Sequence, residues 1–125
     1  MSDFKFVRVN CDYCAEGVWS EDGGSMSIDS LPISRKLKSS ILKWQCEFET
    51  VPYWLEERYI ESDWYKLRQL NIARRLKYEL PDYVVVAGMR LINDDLTVGE
   101  DVPYGGDNFQ DWKDGYLLRE TVGTG

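Results

Sequence analysis

The sequence contains no histidine. Without an imidazole, general-base chemistry at neutral pH would fall to a carboxylate or lysine of displaced pKa, and no position in the chain singles one out. No apolar run approaches the roughly 20 residues of a membrane-spanning helix. The start, Met1-Ser2-Asp3-Phe4-Lys5, lacks the basic and apolar regions of a secretory leader, so the cytoplasm is the expected compartment. Cysteine is scarce and odd in number: Cys11, Cys14 and Cys46 cannot all pair within one chain and read as reduced thiols. Positive charge is in deficit, with 15 Lys and Arg against 22 Asp and Glu and a formal charge of −7. Such a chain is repelled by phosphate, which disfavours direct nucleic-acid binding and suits a basic protein partner.

The missing residues also close off particular sites. Cys11-x-x-Cys14 has metal-like spacing, but one further cysteine and no histidine cannot complete a tetrahedral set. As a redox dithiol the pair would need a helix N-terminus after it, whereas Ala15-Glu16-Gly17 and a hairpin follow. Two ordinary thiols is the reading adopted. Gly105-Gly106 is not followed by the lysine and hydroxyl of a phosphate loop. Adjacent carboxylates at Glu21-Asp22, Glu56-Glu57, Asp94-Asp95 and Glu100-Asp101 read as solvated surface acids, and no cofactor or metal is expected.

What is present is a core-forming chain of 125 residues, with 43% hydrophobic residues and 17 aromatics as five Trp, eight Tyr and four Phe. Ser62–Gly88 organises it. Tyr65, Ile72, Ala73, Leu76 and Leu80 share one side of a 3.6-residue period behind a Ser62 cap, and Pro81 stops that helix. Tyr83-Val84-Val85-Val86-Ala87 then reads as a strand covered on both faces. Upstream, Phe4–Asn10 is a strand with Phe4, Phe6 and Arg8 on one face and Lys5, Val7 and Val9 on the other. Glu16–Ser20, a turn at Glu21-Asp22-Gly23-Gly24 and a return strand Ser25–Ile28 form a predicted hairpin. Ser34 caps a helix whose stripe is Leu37, Ile41, Trp44 and Phe48, ending before Pro52. Tyr53–Glu61 fits a short helix or an ordered connection. Met89–Ile92 is read as extending the strand beyond Gly88, Asn93-Asp94-Asp95 as a turn, and Leu96–Val102 and Tyr116–Val122 as edge strands.

The expected fold is a single α+β (or α/β) domain over residues 1–125. A mixed sheet of about four to five strands is covered by two main helices. Residues 1–92 form the core and 93–125 an irregular acidic segment rich in glycine and aromatics. Charge is partitioned along the chain. Cys11–Ile33 has five acids and no base, Ser34–Lys77 ten bases against six acids, and Asn93–Gly125 eight acids against two bases. Lys66, Arg68, Arg74, Arg75 and Lys77 scatter around the polar arc of the second helix and read as a solvated back available to the protein's own acids.

The candidate binding segment is Glu100–Glu120. Glu100, Asp101, Asp107, Asp111 and Asp114 are interleaved with Tyr104, Phe109, Trp112 and Tyr116, and Glu21 with Asp22 are candidate additions. Acids around aromatic anchors suit recognition of a basic protein surface. The competing reading is that the aromatics plug a sheet edge and the acids solvate the loop.

Three pieces carry a family resemblance: VWSEDGGSMSIDSLPIS at 18–34, Trp44 on the following helix, and ARRLKYELPDY at 73–83. Together they resemble a group of small bacterial α/β proteins of unassigned activity. In that group a strand and a "W..DG" hairpin lead through "LPLS" into a helix bearing tryptophan, and a helix ending "LA..L..EL" precedes a strand. The likeness covers about residues 4–87, with Ile33 in place of leucine and the acidic C-terminal extension unmatched. It implies the fold. In size, acidity and aromatic content the chain is also similar to immunity proteins of polymorphic toxin and contact-dependent inhibition systems. That likeness implies a non-enzymatic cytoplasmic inhibitor of a basic toxin, with a nuclease as the expected class. A regulatory or scaffold module, and a small enzyme using a carboxylate or thiol, are the alternatives.

Overall fold

A computed structural model describes residues 4–123, so the leader reading at Met1-Ser2-Asp3 lies outside the described residues. Five strands form one mixed sheet: β1 (Phe6–Val9), β2 (Val18–Trp19), β3 (Val84–Ala87), β4 (Arg90–Ile92) and β5 (Val98–Asp101). Their spatial order is β2-β1-β3-β4-β5. β1 and β3 pair in parallel, Phe6 opposite Val84 and Val9 opposite Ala87, and the remaining neighbours are antiparallel. The helices are α1 (Arg35–Glu49), α2 (Glu56–Ile60), α3 (Asp63–Glu79) and α4 (Gly106–Gly123). This is an α+β fold with a mixed sheet.

Strand alternation divides the core. Val7, Val9, Val85 and Ala87 face one cluster with Leu37, Ile41, Trp44 and Phe48 of α1 and Tyr65, Ile72, Ala73 and Leu76 of α3. Phe6, Val84 and Val86 face a second, with Leu91, Val102 and Phe109. Both inner strands are therefore buried on both faces, as their β-branched runs require.

Local chemistry sets the helix ends. Ser34 Oγ accepts from the Leu37 amide at 3.2 Å, and Ser62 Oγ accepts from the Tyr65 amide at 3.2 Å. The Glu79 carboxylate accepts from the Ser34 amide at 2.6 Å and from its hydroxyl at 2.8 Å, tying the start of α1 to the end of α3. Leu80 leaves the helical region ahead of Pro81, where α3 stops. Residues 53–60 are helical throughout, a 3-10 turn at Tyr53–Leu55 running into α2.

Several expectations are corrected. Ser25–Ile28 is no strand: one bridge joins Trp19 to Ser25, and a 3-10 turn then puts Ile28 into the core, its amide donating to Glu16 Oε1 at 3.0 Å. Met89–Ile92 does not continue β3. Gly88 sits at φ +62, where a side chain is disfavoured, and the chain reverses there into antiparallel β4. Residues 93–125 are not irregular over the described part: β5 extends the sheet and α4 covers its second face. Tyr116–Val122 is helical, because Phe109, Trp112 and Tyr116, at steps of three and four, form the inward stripe of α4. The long helices therefore number three, and the core extends past residue 92 to Val102 and Phe109. Lys77 is buried rather than solvated. Its ammonium donates to the carbonyls of Pro81 at 3.0 Å and Tyr83 at 2.6 Å and pairs with Asp94 at 3.2 Å.

Candidate functional site

The sequence-predicted site splits across the two faces of α4. On the inward face Phe109 is buried edge-on against Phe6 at 5.4 Å between ring centroids. Trp112 lies 5.9 Å from the Phe109 ring and stacks on Tyr116 at 5.2 Å, and Tyr116 meets Phe4. These rings attach the helix to the second face of the sheet. Burial pushes the Tyr116 phenol up to about 12, with Glu120 adding to the rise. On the outward face Asp107, Asp111 and Asp114 recur at steps of four and three and are all exposed, as is Leu118. Asp114 accepts from Gln110 Nε2 at 2.8 Å. Asp107, Asp111 and Asp114 form no ion pair among the described residues.

The remaining predicted acids brace the structure. Glu100 accepts from Arg119 at 2.8 Å and from the Trp112 indole at 2.8 Å. Those two hydrogen bonds, Arg119's first, hold its carboxyl below the usual glutamate range. Asp101 pairs with Arg90 at 3.3 Å. Glu21 pairs with Lys113 of α4 at 2.7 Å, which draws the hairpin turn to the helix. Asp22 closes its own turn, accepting from the Ser20 hydroxyl and from the Gly24 amide. Tyr104, half exposed, precedes α4, and the Arg8 guanidinium lies over its ring at 4.5 Å.

A second feature was not legible as a site. A cleft of about 750 Å3 opens where the chain leaves β1 and β3, its walls including Asn10, Asp12, Glu56, Glu61, Met89 and Tyr104. Parallel strands put such crevices at their carboxyl ends, where the chain must turn out of the sheet. Tyr65 Oη forms the wall, donating to Asn10 Oδ1 at 2.9 Å and accepting from the Cys11 amide at 3.1 Å. Gln69 Nε2 donates to the Val9 carbonyl at 2.8 Å. Both cations on the cleft wall are matched, Lys66 with Glu61 at 3.6 Å and Arg90 with Asp101. Asp12 and Glu56 meet no cation among the described residues. Elsewhere on the surface Tyr53, Trp54 and Trp64 stand 77%, 70% and 60% exposed. The signal available in the sequence was that Trp64 and Leu67 lie off the apolar stripe of α3.

Chemistry by thiol or metal finds little support in the geometry. Cys11 is buried against Tyr65 and the Trp44 carbonyl, and burial pushes its thiol up to about 12, far from a thiolate at neutral pH. Cys14 and Cys46 are exposed, and all three thiols are free. Among the described residues no three His, Cys, Asp or Glu side chains converge on a metal position, and no helix is long and apolar enough to cross a membrane.

Comparison with curated proteins and with solved structures gives no match. A family model described as Serratia CdiI immunity protein-like matches residues 5–87, about two thirds of the chain, from β1 through β3. The chain therefore belongs to the Serratia CdiI immunity protein-like family.

Proposed function

We propose that the protein is a non-enzymatic immunity protein that binds a basic toxin in the cytoplasm and blocks it by occupying its surface. The observation that carries this beyond family membership is the outward face of α4. Asp107, Asp111 and Asp114 present uncompensated negative charge there, on a helix whose other face is locked to the sheet by Phe109, Trp112 and Tyr116. A rigid acidic ridge attracts a basic surface and loses little freedom on docking. A nuclease is the toxin class such a ridge fits, because its substrate groove must be basic to hold phosphate. Tyr104 lies at the cleft end of the ridge, while Glu21 and Glu100 hold α4 through ion pairs with Lys113 and Arg119, and Asp101 pairs with Arg90 of β4. No chemistry by this chain is needed, since masking the groove is sufficient to neutralise the toxin.

The test is co-expression with the product of the upstream gene. Cells carrying the wild-type chain should grow, and the purified complex should show no nuclease activity. Growth arrest despite a folded, abundant immunity chain would refute the proposal. A complex that forms and leaves the toxin's activity intact would favour a scaffold role instead.

A further inference from the structure

We infer that the chain associates with copies of itself, the α4 ridge of one copy lying in the groove between α1 and α3 of the next. This goes beyond the toxin-binding reading and does not depend on it. Two contacts define the groove, the Arg68 pair with Glu47 and Arg75 Nη1 donating to Ser40 Oγ at 3.3 Å, and they set the two helices antiparallel. On α1, Lys36, Ser40, Lys43 and Glu47 fall at steps of four, three and four and share the edge toward α3. On α3, Trp64, Arg68, Asn71 and Arg75 fall at steps of four, three and four, with Leu67 beside them. Trp64 and Leu67 stand 60% and 56% exposed at one end of the groove. Toward the other end lie Lys43, Arg75 and Lys36, and none of the three pairs with a carboxylate among the described residues. The groove is thus apolar at one end and basic at the other.

The α4 ridge carries the complementary pattern. Asp107, Asp111, Asp114 and Leu118 recur at steps of four, three and four, all exposed, Leu118 at 66%. Trp64 to Arg75 and Asp107 to Leu118 each span about 16 Å at the helical rise. Laid antiparallel to α3, the ridge sets Leu118 on Trp64 and Leu67, Asp111 at the level of Lys43, and Asp107 beside Arg75 and Lys36. Asp114 falls at Arg68, whose charge Glu47 already shares. The reverse direction would put acids on the indole and leucine among the bases. Ridge and groove lie on opposite faces of the sheet, α4 against Phe6 and Val86, α1 and α3 against Val7 and Val85. One copy therefore cannot satisfy itself, and the contact is head to tail, extending as an open chain or closing as a ring. A toxin held on the ridge takes the same acids and so caps such an assembly.

The experiment is sedimentation velocity of the full chain alone, with thermal melts of each variant as the control for folding. At roughly 20 mM salt the wild type should sediment faster as its concentration rises, and at roughly 0.5 M salt it should stay monomeric, because exposed charges are then screened. Lys36→Glu with Lys43→Glu spoils the groove, and Asp107→Asn, Asp111→Asn and Asp114→Asn together spoil the ridge. Neither set of positions forms an ion pair among the described residues, so the melts should coincide with that of the wild type. Each variant alone should remain monomeric at low salt. Mixed, the two should form a one-to-one dimer that grows no further, since one brings an intact ridge and the other an intact groove. A wild type that is monomeric at low salt, association retained by either variant alone, or a mixture that stays monomeric would overturn the inference. The toxin-binding reading is tested separately, by growth of the co-expressing cells.

Discussion

Arg8 carries its charge into the sheet and meets no carboxylate among the described residues. Its guanidinium donates to the backbone carbonyls of Gly88, Val102 and Pro103 and is flanked by the rings of Phe6 and Tyr104. One side chain thus fastens β1 to the turn after β3 and to the link between β5 and α4. Burial lowers its pKa, against a smaller opposing influence of Tyr104. Arg8→Met keeps much of the aliphatic stem but leaves these carbonyls unpaired, and should cost about 3 kcal/mol in urea denaturation. Glu100 is the second such residue. Its folded pKa is depressed by Arg119 and Trp112, so its contribution is complete above the ordinary glutamate range and is lost as pH falls through the folded value. The wild type should accordingly be more stable than Glu100→Gln at pH 7, and the gap should narrow as pH falls from the ordinary glutamate range through the folded value. Denaturation midpoints measured from pH 7 to 3 check this; a gap as wide at pH 3 as at pH 7 contradicts it.

At the scale of elements, α1, α3, β1 and β3 were legible because each shows a single periodicity with its own punctuation. Ser34 and Ser62 cap where the sequence placed them, and each residue of the Leu37–Phe48 and Tyr65–Leu80 stripes is buried. Leu76→Asp puts a charge into that interface and should unfold the protein, at a cost exceeding about 4 kcal/mol by thermal or chemical denaturation. α4 escaped because glycine and aspartate are weak helix formers, and the stripe Phe109, Trp112, Tyr116 resembles an interface as much as a core. Only the sheet face awaiting cover decides between them, and that face is set by β1, β3 and β4 together. The hairpin after Ser25 failed for a related reason: its alternation competed with burial of Ile28, and burial won. For α4 the consequence is measurable. Trp112→Ala removes the stack on Tyr116 and the hydrogen bond to Glu100, and should cost about 2 kcal/mol of stability. An unchanged melting temperature would mean that α4 is not held by these rings.

Across the whole molecule, charge and burial follow one plan. The basic residues of α3 are engaged internally: Arg68 with Glu47, Lys66 with Glu61, Arg74 with the Leu96 carbonyl and Lys77 with Asp94. The acids of the α4 ridge have no such partners among the described residues, so the net charge of −7 is directed outward at particular places. The location of that surplus was only half readable. The count of acids in 93–125 was plain, but which of them point outward depends on a helix whose phase is set by tertiary packing. If this outward charge guides a basic toxin onto the protein, salt must weaken the encounter. The most direct measurement is the association rate with the upstream gene's product at low and high ionic strength. It compares the wild type with the chain carrying Asp107→Asn, Asp111→Asn and Asp114→Asn. The wild type should associate fast at low salt and slow steeply as salt rises, while the triple variant should start roughly tenfold slower and respond little. Equal rates with equal salt dependence in the two proteins would contradict the account.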